Sequence, residues 1–287
     1  MTSEENSSQK KHDLAPPPED FDPLAAHPKD LFRYGLPQRP DPQKEAGLSA
    51  LWEQRARRYR TFQHLQAEFS PTPHNRPRLE PEVFRLQPLL TCGYSLDTGE
   101  NCTSLAVTWT VPNLRYTPSP LATNRFRTFV SLGFLDVHVE MTIDTAHNVT
   151  ANVTRVGANG VEAVGLPVQP GDVISAVMCL APKPPGDASY ILANETSTQT
   201  INFRFDSGFP PATSVSVGIS RDIGGNPSLN PLARFGIVYF DEIAVFTTGG
   251  TPLLTDGQAV TMLDVDGSIL ARPVRLNGSA FKIVGVD

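Results

Sequence analysis

The clearest alternation of apolar and polar positions lies at residues 135–144, which read LDVHVEMTID. Successive side chains of an extended strand point to opposite faces, so the apolar residues from Leu135 to Ile143 share one face. The other face carries Asp136, His138 and Glu140, followed by Thr142 and Asp144. The pattern predicts a strand with one face in a hydrophobic core and a second face rich in hydrogen-bonding groups.

Similar short β-rich runs recur from about residue 83 to the end of the chain. They cover 103–111, 126–143, 148–156, 173–180, 189–194, 198–206, 213–220, 235–247, 258–264 and 279–285. Gly-containing turn signals such as GANG, PGD and DGS separate many of them, and helical periodicity is absent after residue 70. The chain therefore predicts an all-β domain over 83–287, built as two packed antiparallel sheets.

The N-terminal part of the chain differs in composition and in predicted secondary structure. Residues 1–27 are polar and Pro-rich, which predicts a disordered tail, and 28–82 form an arm with one helix at 42–65 that Asp41 would cap. Arginines at 55–60 are expected to face solvent. The arm is expected to pack on the sandwich because leaving its large apolar side chains exposed is unfavourable. These are Leu31, Phe32, Tyr34, Leu36, Leu51, Trp52 and Phe62.

Composition narrows the possible partners. The 287 residues carry a net charge of −6, which argues against nucleic acid as the main partner. No apolar run approaches the roughly 20 residues that a membrane span needs. The first residues lack the apolar core of a secretory signal, so the expected location is the cytoplasm. We find no phosphate loop, nucleophile elbow or zinc pattern, and predict neither cofactor nor metal.

The three cysteines leave one question open. Cys92 and Cys102 flank GYSLDTGEN, which is typical of a hairpin turn. A cross-strand disulfide could form there in an oxidising compartment, but a cytoplasmic chain keeps its thiols reduced.

Several segments, in the same order along the chain, resemble the eqolisin (glutamic peptidase) family. They are VTWTVPNL at 107–114, VQPGDVISAVM at 168–178, DASYILANETSTQTINFRF at 187–205, SLNPLARFGIVYFDEIAV at 228–245 and DGQAVTMLDVDGSILARPVRLNGSAFKIV at 256–284. The N-terminal arm resembles an extension of bacterial members. The resemblance implies a concanavalin-like β-sandwich of two bent sheets, with substrate lying across the concave face of one of them.

The resemblance also implies a mechanism that this chain does not retain. Eqolisins cleave peptides at acidic pH, using a glutamate as general base and a glutamine that binds the oxyanion. Val217 matches the glutamate position, Gly218 the aromatic residue after it, and Glu140 lies at or beside the glutamine. Phe129 replaces a tryptophan and Gly133 an aspartate. No carboxylate occurs from Ser207 to Arg221, so a shifted alignment does not restore the base.

The polar face of 135–144 is the candidate site. Its predicted lining is Asp136, His138, Glu140, Thr150, Asn152, Arg127 and Phe129. Such a floor suits a peptide or a glycan, and Arg127 is expected to pair with a carboxylate across the sheet. The D-x-H-x-E spacing is also compatible with a metal if another strand supplies a ligand, although this signal is weak.

Three functions remain open from the sequence. The leading one is a catalytically degenerate eqolisin-like protein that binds a peptide or glycan in its groove. The second is a hydrolase with a relocated acid–base set, in which Glu140 is the base and His138 or Asp136 its partner. The third is a structural protein whose N-terminal arm docks on another copy or a larger complex.

Overall fold

The computed structural model describes residues 11–12, 14–34, 36–37, 39–71, 88–157, 160–180, 187–206, 211–221 and 231–286. Two helices precede the domain, α1 (Pro28–Arg33) and α2 (Ala46–Thr61). The strands are β1 Lys11–His12, β2 Gln63–Leu65, β3 Ser70–Pro71, β4 Thr91–Thr110, β5 Thr123–Leu132, β6 Leu135–Asp144, β7 Val149–Gly157, β8 Gly160–Ala163, β9 Val173–Leu180, β10 Asp187–Asn194, β11 Gln199–Asp206, β12 Ala212–Ser220, β13 Ile237–Thr247, β14 Gln258–Val260, β15 Met262–Leu263, β16 Ile269–Arg275 and β17 Phe281–Gly285. The mostly-β prediction is confirmed, while residues 1–10 and the predicted boundary at 82/83 lie outside the described residues.

One long strand, β4, joins the two halves of the fold. Its N-terminal part pairs with β12 and β14, and its C-terminal part pairs with β9 and β13. The first half-sheet therefore runs β14, β4, β12, β5, β6, β7, β8 and β3. The second runs β16, β17, β13, β4, β9, β10, β11 and β2. Together the strands form a 17-stranded hydrogen-bonded system, and the pairing of β2 with β11 is parallel.

The main hydrophobic core draws side chains from both half-sheets. Val130, Val137 and Val217 contribute from the first half, and Trp109 and Phe203 from the second. Each of these side chains is at most 1% exposed. The apolar positions of 135–144 therefore face the core, as the alternation predicted.

The predicted hairpin between Cys92 and Cys102 is wrong. Both cysteines belong to the single 20-residue strand β4, and both are free thiols. Cys92 pairs with Ile219 of β12, and Cys102 pairs with Ala212, seven residues earlier in the same strand. The Thr98-Gly99 pair marks a local irregularity within the strand, where Gly99 has φ +65° and the register with β12 shifts.

The N-terminal segment packs on the second half-sheet. Leu31, Leu36 and Trp52 belong to one buried cluster, against which Ile191 of β10 packs. Phe21 and Leu24, within the tail predicted to be disordered, pack against the same cluster. α2 begins at Ala46, later than expected, because Asp41 instead organises a turn by accepting hydrogen bonds from the Gln43 and Lys44 backbone.

Two arginines of α2, Arg55 and Arg58, contact the sheet, contrary to the expectation of a solvated face. The side chains of Arg57 and Arg60 are 70% and 60% exposed, as expected. Glu242 lies at an irregularity of β13 with φ +50°, and its carboxylate accepts hydrogen bonds from Arg58, Gln54 and Thr108. Arg55 approaches the same carboxylate at 3.7 Å. Burial alone would raise the pKa of Glu242, but the hydrogen bonds from Arg58 and Thr108 and the charge of Arg55 bring it below its usual value. This ion cluster fixes α2 on the outer face of the second half-sheet.

Glu242→Gln should lower the free energy of unfolding by about 1–3 kcal/mol at neutral pH, because two arginines lose a charged acceptor. A lowered folded-state pKa contributes stability above the ordinary value of 4.5 and loses it as the pH falls below that value. The difference between parent and variant should therefore shrink in acid. Denaturant unfolding across pH 3–7 measures it, and Asp256→Asn in the exposed pair with Arg275 is the control. Equal losses from both variants would contradict a special role for Glu242.

Candidate functional site

The register of four neighbouring strands determines which side chains share the polar face of the first half-sheet. In β5 and β6, Ser131 pairs with Asp136, Phe129 with His138 and Arg127 with Glu140. Directly paired residues project to the same side of a sheet. Continuing the register through β12 and β7 defines this polar face. It comprises Ser216, Gly218, Ser220, Arg127, Phe129, Ser131, Asp136, His138, Glu140, Thr142, Thr150, Asn152 and Thr154.

The seven predicted site residues therefore lie together on one face, but their exposure differs. Thr150 and Asn152 on β7 are exposed. Phe129 is 0% and His138 3% exposed. The face is buried at its centre and open towards β7, and is not an evenly open groove.

Glu140 is paired with Arg127 across the strands, as the sequence predicted. The Arg127 Nη2 atom donates to Glu140 Oε1, and the two side chains are only 10% and 13% exposed. A charge-assisted hydrogen bond of this kind is stronger than one between neutral groups. Because Arg127 already occupies its carboxylate, Glu140 is a poor candidate for a general base.

Asp136 occupies a contrasting environment. Burial raises the pKa of Asp136 to about 6, against the opposing effects of a hydrogen bond from Ser131 and the charge of Arg127. A carboxyl group that titrates near neutrality can hold or release a proton under mild conditions. Of the three candidate catalytic residues, Asp136 therefore has the environment best suited to proton transfer.

Two glycines bring β4 and β12 unusually close beside Phe129. Gly218 pairs with Gly93 of β4 on one side and with Phe129 of β5 on the other. A Cβ atom on Gly218 would lie 2.1 Å from the Cys92 carbonyl oxygen. Gly93 pairs in turn with Val260 of β14, and Phe129 forms a small buried cluster with Val260 across the two glycines.

Some hydrogen-bonding capacity on the polar face is unused within the described part of the chain. There, Asp136 Oδ1, Thr154 Oγ1 and Ser220 Oγ are buried and have no hydrogen-bond partner. Buried polar atoms normally find a partner in protein, water or ligand. Ser216, Ser220 and Thr154 were missing from the predicted site, although the alternation of Ser214, Ser216, Gly218 and Ser220 in the sequence was the available signal.

Val217 and Glu140 do not face one cleft, which corrects the alignment-based expectation. Val217 pairs with Val130, which pairs with Val137, so all three face the core. Glu140 projects to the opposite side of the sheet. Introducing Glu at Val217, with or without Glu140→Gln, would therefore bury a charge in the core and would not assemble a catalytic pair.

Across the described ranges, no group of three or more His, Cys, Asp or Glu side chains is placed to hold a metal ion. Among those same residues, no helix is long and apolar enough to cross a membrane.

Comparison with known proteins identifies the scaffold. Residues 90–283 match a sequence model described as the Peptidase A4 family. The chain belongs to the Peptidase A4 family. The eqolisin resemblance seen in the sequence is thus confirmed.

Solved structures support the same fold. Scytalido-glutamic peptidase with a transition state analog inhibitor matches with a TM-score of 0.54 and 18% identity, over 69% of this chain and 98% of that chain. SCP-B, a member of the eqolisin family in a complex with the tripeptide Ala-Ile-His, matches with a TM-score of 0.52 and 16% identity, over 69% and 98% of the two chains. Identities this low establish a shared eqolisin-like β-sandwich fold and no more. A search of curated proteins gave no match.

The close approach of β4 and β12 in this Peptidase A4 chain can be tested by Gly218→Ala. We expect a loss of about 1–3 kcal/mol in unfolding free energy, because the added methyl group forces the strands apart. Gly47→Ala in α2 is the control, since a Cβ atom there meets nothing within 4 Å. Equal denaturation midpoints for Gly218→Ala and the parent would show that the approach is not tight.

The environment of Asp136 predicts a pH dependence. Its raised pKa means that the folded state binds more protons than the unfolded state between the ordinary value of 3.8 and about 6. Asp136 therefore costs stability as the pH rises through that window, and the cost persists above it. Asp136→Asn should raise the melting temperature at pH 7.5 more than at pH 4. A pH-independent effect would contradict a buried, titrating Asp136.

Proposed function

We propose that the chain binds an extended peptide along the polar face and does not hydrolyse it by the glutamate–glutamine mechanism of eqolisins. The observation that carries the proposal is the composition of β12. Its polar-face positions are Ser216, Gly218 and Ser220, and its core-facing positions include Val217. None of these side chains can take a proton from an attacking water at moderate pH.

The rest of the polar face supports binding in place of cleavage. Hydroxyl, amide and carboxylate groups complement the donors and acceptors of a peptide backbone. The Thr154 and Ser220 hydroxyls have no hydrogen-bond partner among the described residues and add hydrogen-bonding capacity within the buried centre. Exposed Thr150 and Asn152 provide an accessible margin where a chain can enter.

A second candidate is a hydrolase with a relocated acid–base pair, and the raised pKa of Asp136 favours it. In this alternative Asp136, not Glu140, is the proton acceptor, with His138 as its neighbour two positions along β6. Glu140 fits the role less well because Arg127 engages its carboxylate.

An assembly role through the N-terminal arm has less support. The arm's Leu31 and Trp52 are already buried within the same chain. A glycan is the alternative ligand, and the binding test includes two oligosaccharides to detect it.

Binding can be measured by calorimetry with the tripeptide Ala-Ile-His, the ligand carried by SCP-B. We expect saturable binding that Asn152→Ala weakens about 3–10-fold, as for one lost hydrogen bond. Asn277→Ala, in the turn between β16 and β17, should leave affinity unchanged. Binding of chitohexaose or cellohexaose, with none of the tripeptide, would contradict the peptide proposal.

Cleavage is tested in parallel with denatured casein between pH 3 and pH 7. The proposal predicts no products from the parent chain. Cleavage that Asp136→Asn abolishes and Glu140→Gln retains would establish the second candidate instead.

A further inference from the structure

A second candidate site lies on the opposite side of the molecule, between α2 and the second half-sheet. A partly open cavity of about 130 Å³ lies there. Leu51, Trp52 and Tyr59 of α2 line it on one side. The sheet side carries small residues in neighbouring positions, among them Ala106 of β4 and Ala193 of β10. The cavity exists because these small side chains leave space that the large side chains of α2 do not fill.

The charged residues of the lining already have partners. Arg58 contacts Glu195, which also lines the cavity. Arg58 and Arg55 both contact Glu242, which lies outside the lining. The two guanidinium groups thus already face carboxylates, so a charged guest would disturb these ion pairs. Burial lowers the pKa of Arg55, which agrees with a site shielded from water.

One donor at this site is unused. The Nε atom of Arg55 is buried and has no hydrogen-bond partner among the described residues. Arg55 is itself part of the cavity lining. A buried guanidinium N–H without an acceptor is costly and favours a guest that supplies one.

We propose that this cavity binds a small, neutral, mainly apolar molecule that carries a single hydrogen-bond acceptor. The ring of such a guest would lie among Leu51, Trp52 and Tyr59, with its acceptor at Arg55. Apolar cavities of similar size, such as an engineered one of about 150 Å³, are known to stay dry and to bind benzene. The site is independent of the peptide proposal, because it lies on the outer face of the other half-sheet.

Phenol and benzene are suitable probes, since they share a ring and differ in one hydroxyl group, whose oxygen can accept a hydrogen bond from Arg55. We expect saturable chemical-shift changes and intermolecular NOEs between phenol and the Trp52 indole in the full chain. Phenol should bind about 3–10-fold more tightly than benzene, as for one hydrogen bond. The absence of NOEs to Trp52 at millimolar phenol would overturn the proposal without recourse to any variant.

Two variants sharpen the test. Ala106→Leu should fill the cavity and abolish binding of both probes, and Ala193→Val serves if that variant fails to fold. Arg55→Met should bring the affinity ratio of phenol to benzene down to about 1 while benzene affinity is kept. Arg57→Met, on the exposed side of α2, is the matched control and should change neither the affinity ratio nor the affinity for benzene. Unchanged phenol binding in the filled variant, or an unchanged ratio in Arg55→Met, would contradict the assignment.

Discussion

The hydrogen-bond register through β4, β12, β5 and β6 is the constraint on which the candidate site depends. Because side chains alternate strictly between faces, a shift of one residue in any pairing would exchange the core-facing and polar sets. The close approach at Gly93 and Gly218 tolerates no side chain, so β12 has little freedom to slip. This register places Asp136, His138 and Glu140 beside the serines of β12 and directs Val217 into the core.

The chain has the scaffold of the Peptidase A4 family, and we propose that it does not use the glutamate–glutamine mechanism. On the polar face, β12 offers the hydroxyl groups of Ser216 and Ser220 and the glycine Gly218, and no carboxylate. Asp136 and Glu140 of β6 differ because their neighbours differ. Glu140 accepts a hydrogen bond from Arg127, whereas burial raises the pKa of Asp136 to about 6. The peptide binding that we propose would use all these features.

The sequence predicted much of this fold, because alternation reports directly on half-buried strands. It located β6, β9 and β12 closely, and it identified Arg127 as a partner for a carboxylate. Prediction from the sequence failed where contacts between residues far apart in the chain determine the structure. The Thr98-Gly99 pair in β4 marked a strand irregularity and not a hairpin, since the strand is held by different partners along its two halves. Arg55 and Arg58 were assigned to solvent because Glu242, their acceptor, lies far away in sequence. The burial of Phe129 and His138 likewise depends on tertiary packing, which periodicity does not report.

The central claim is that a peptide lies on the polar face and not elsewhere. The most direct measurement follows side-chain NMR signals of the full chain during titration with Ala-Ile-His. The account predicts saturable chemical-shift changes for the His138 imidazole and the Arg127 guanidinium, while the chemical shifts of the Trp52 indole stay the same. Shifts confined to Trp52, or saturable binding with His138 and Arg127 unaffected, would contradict it.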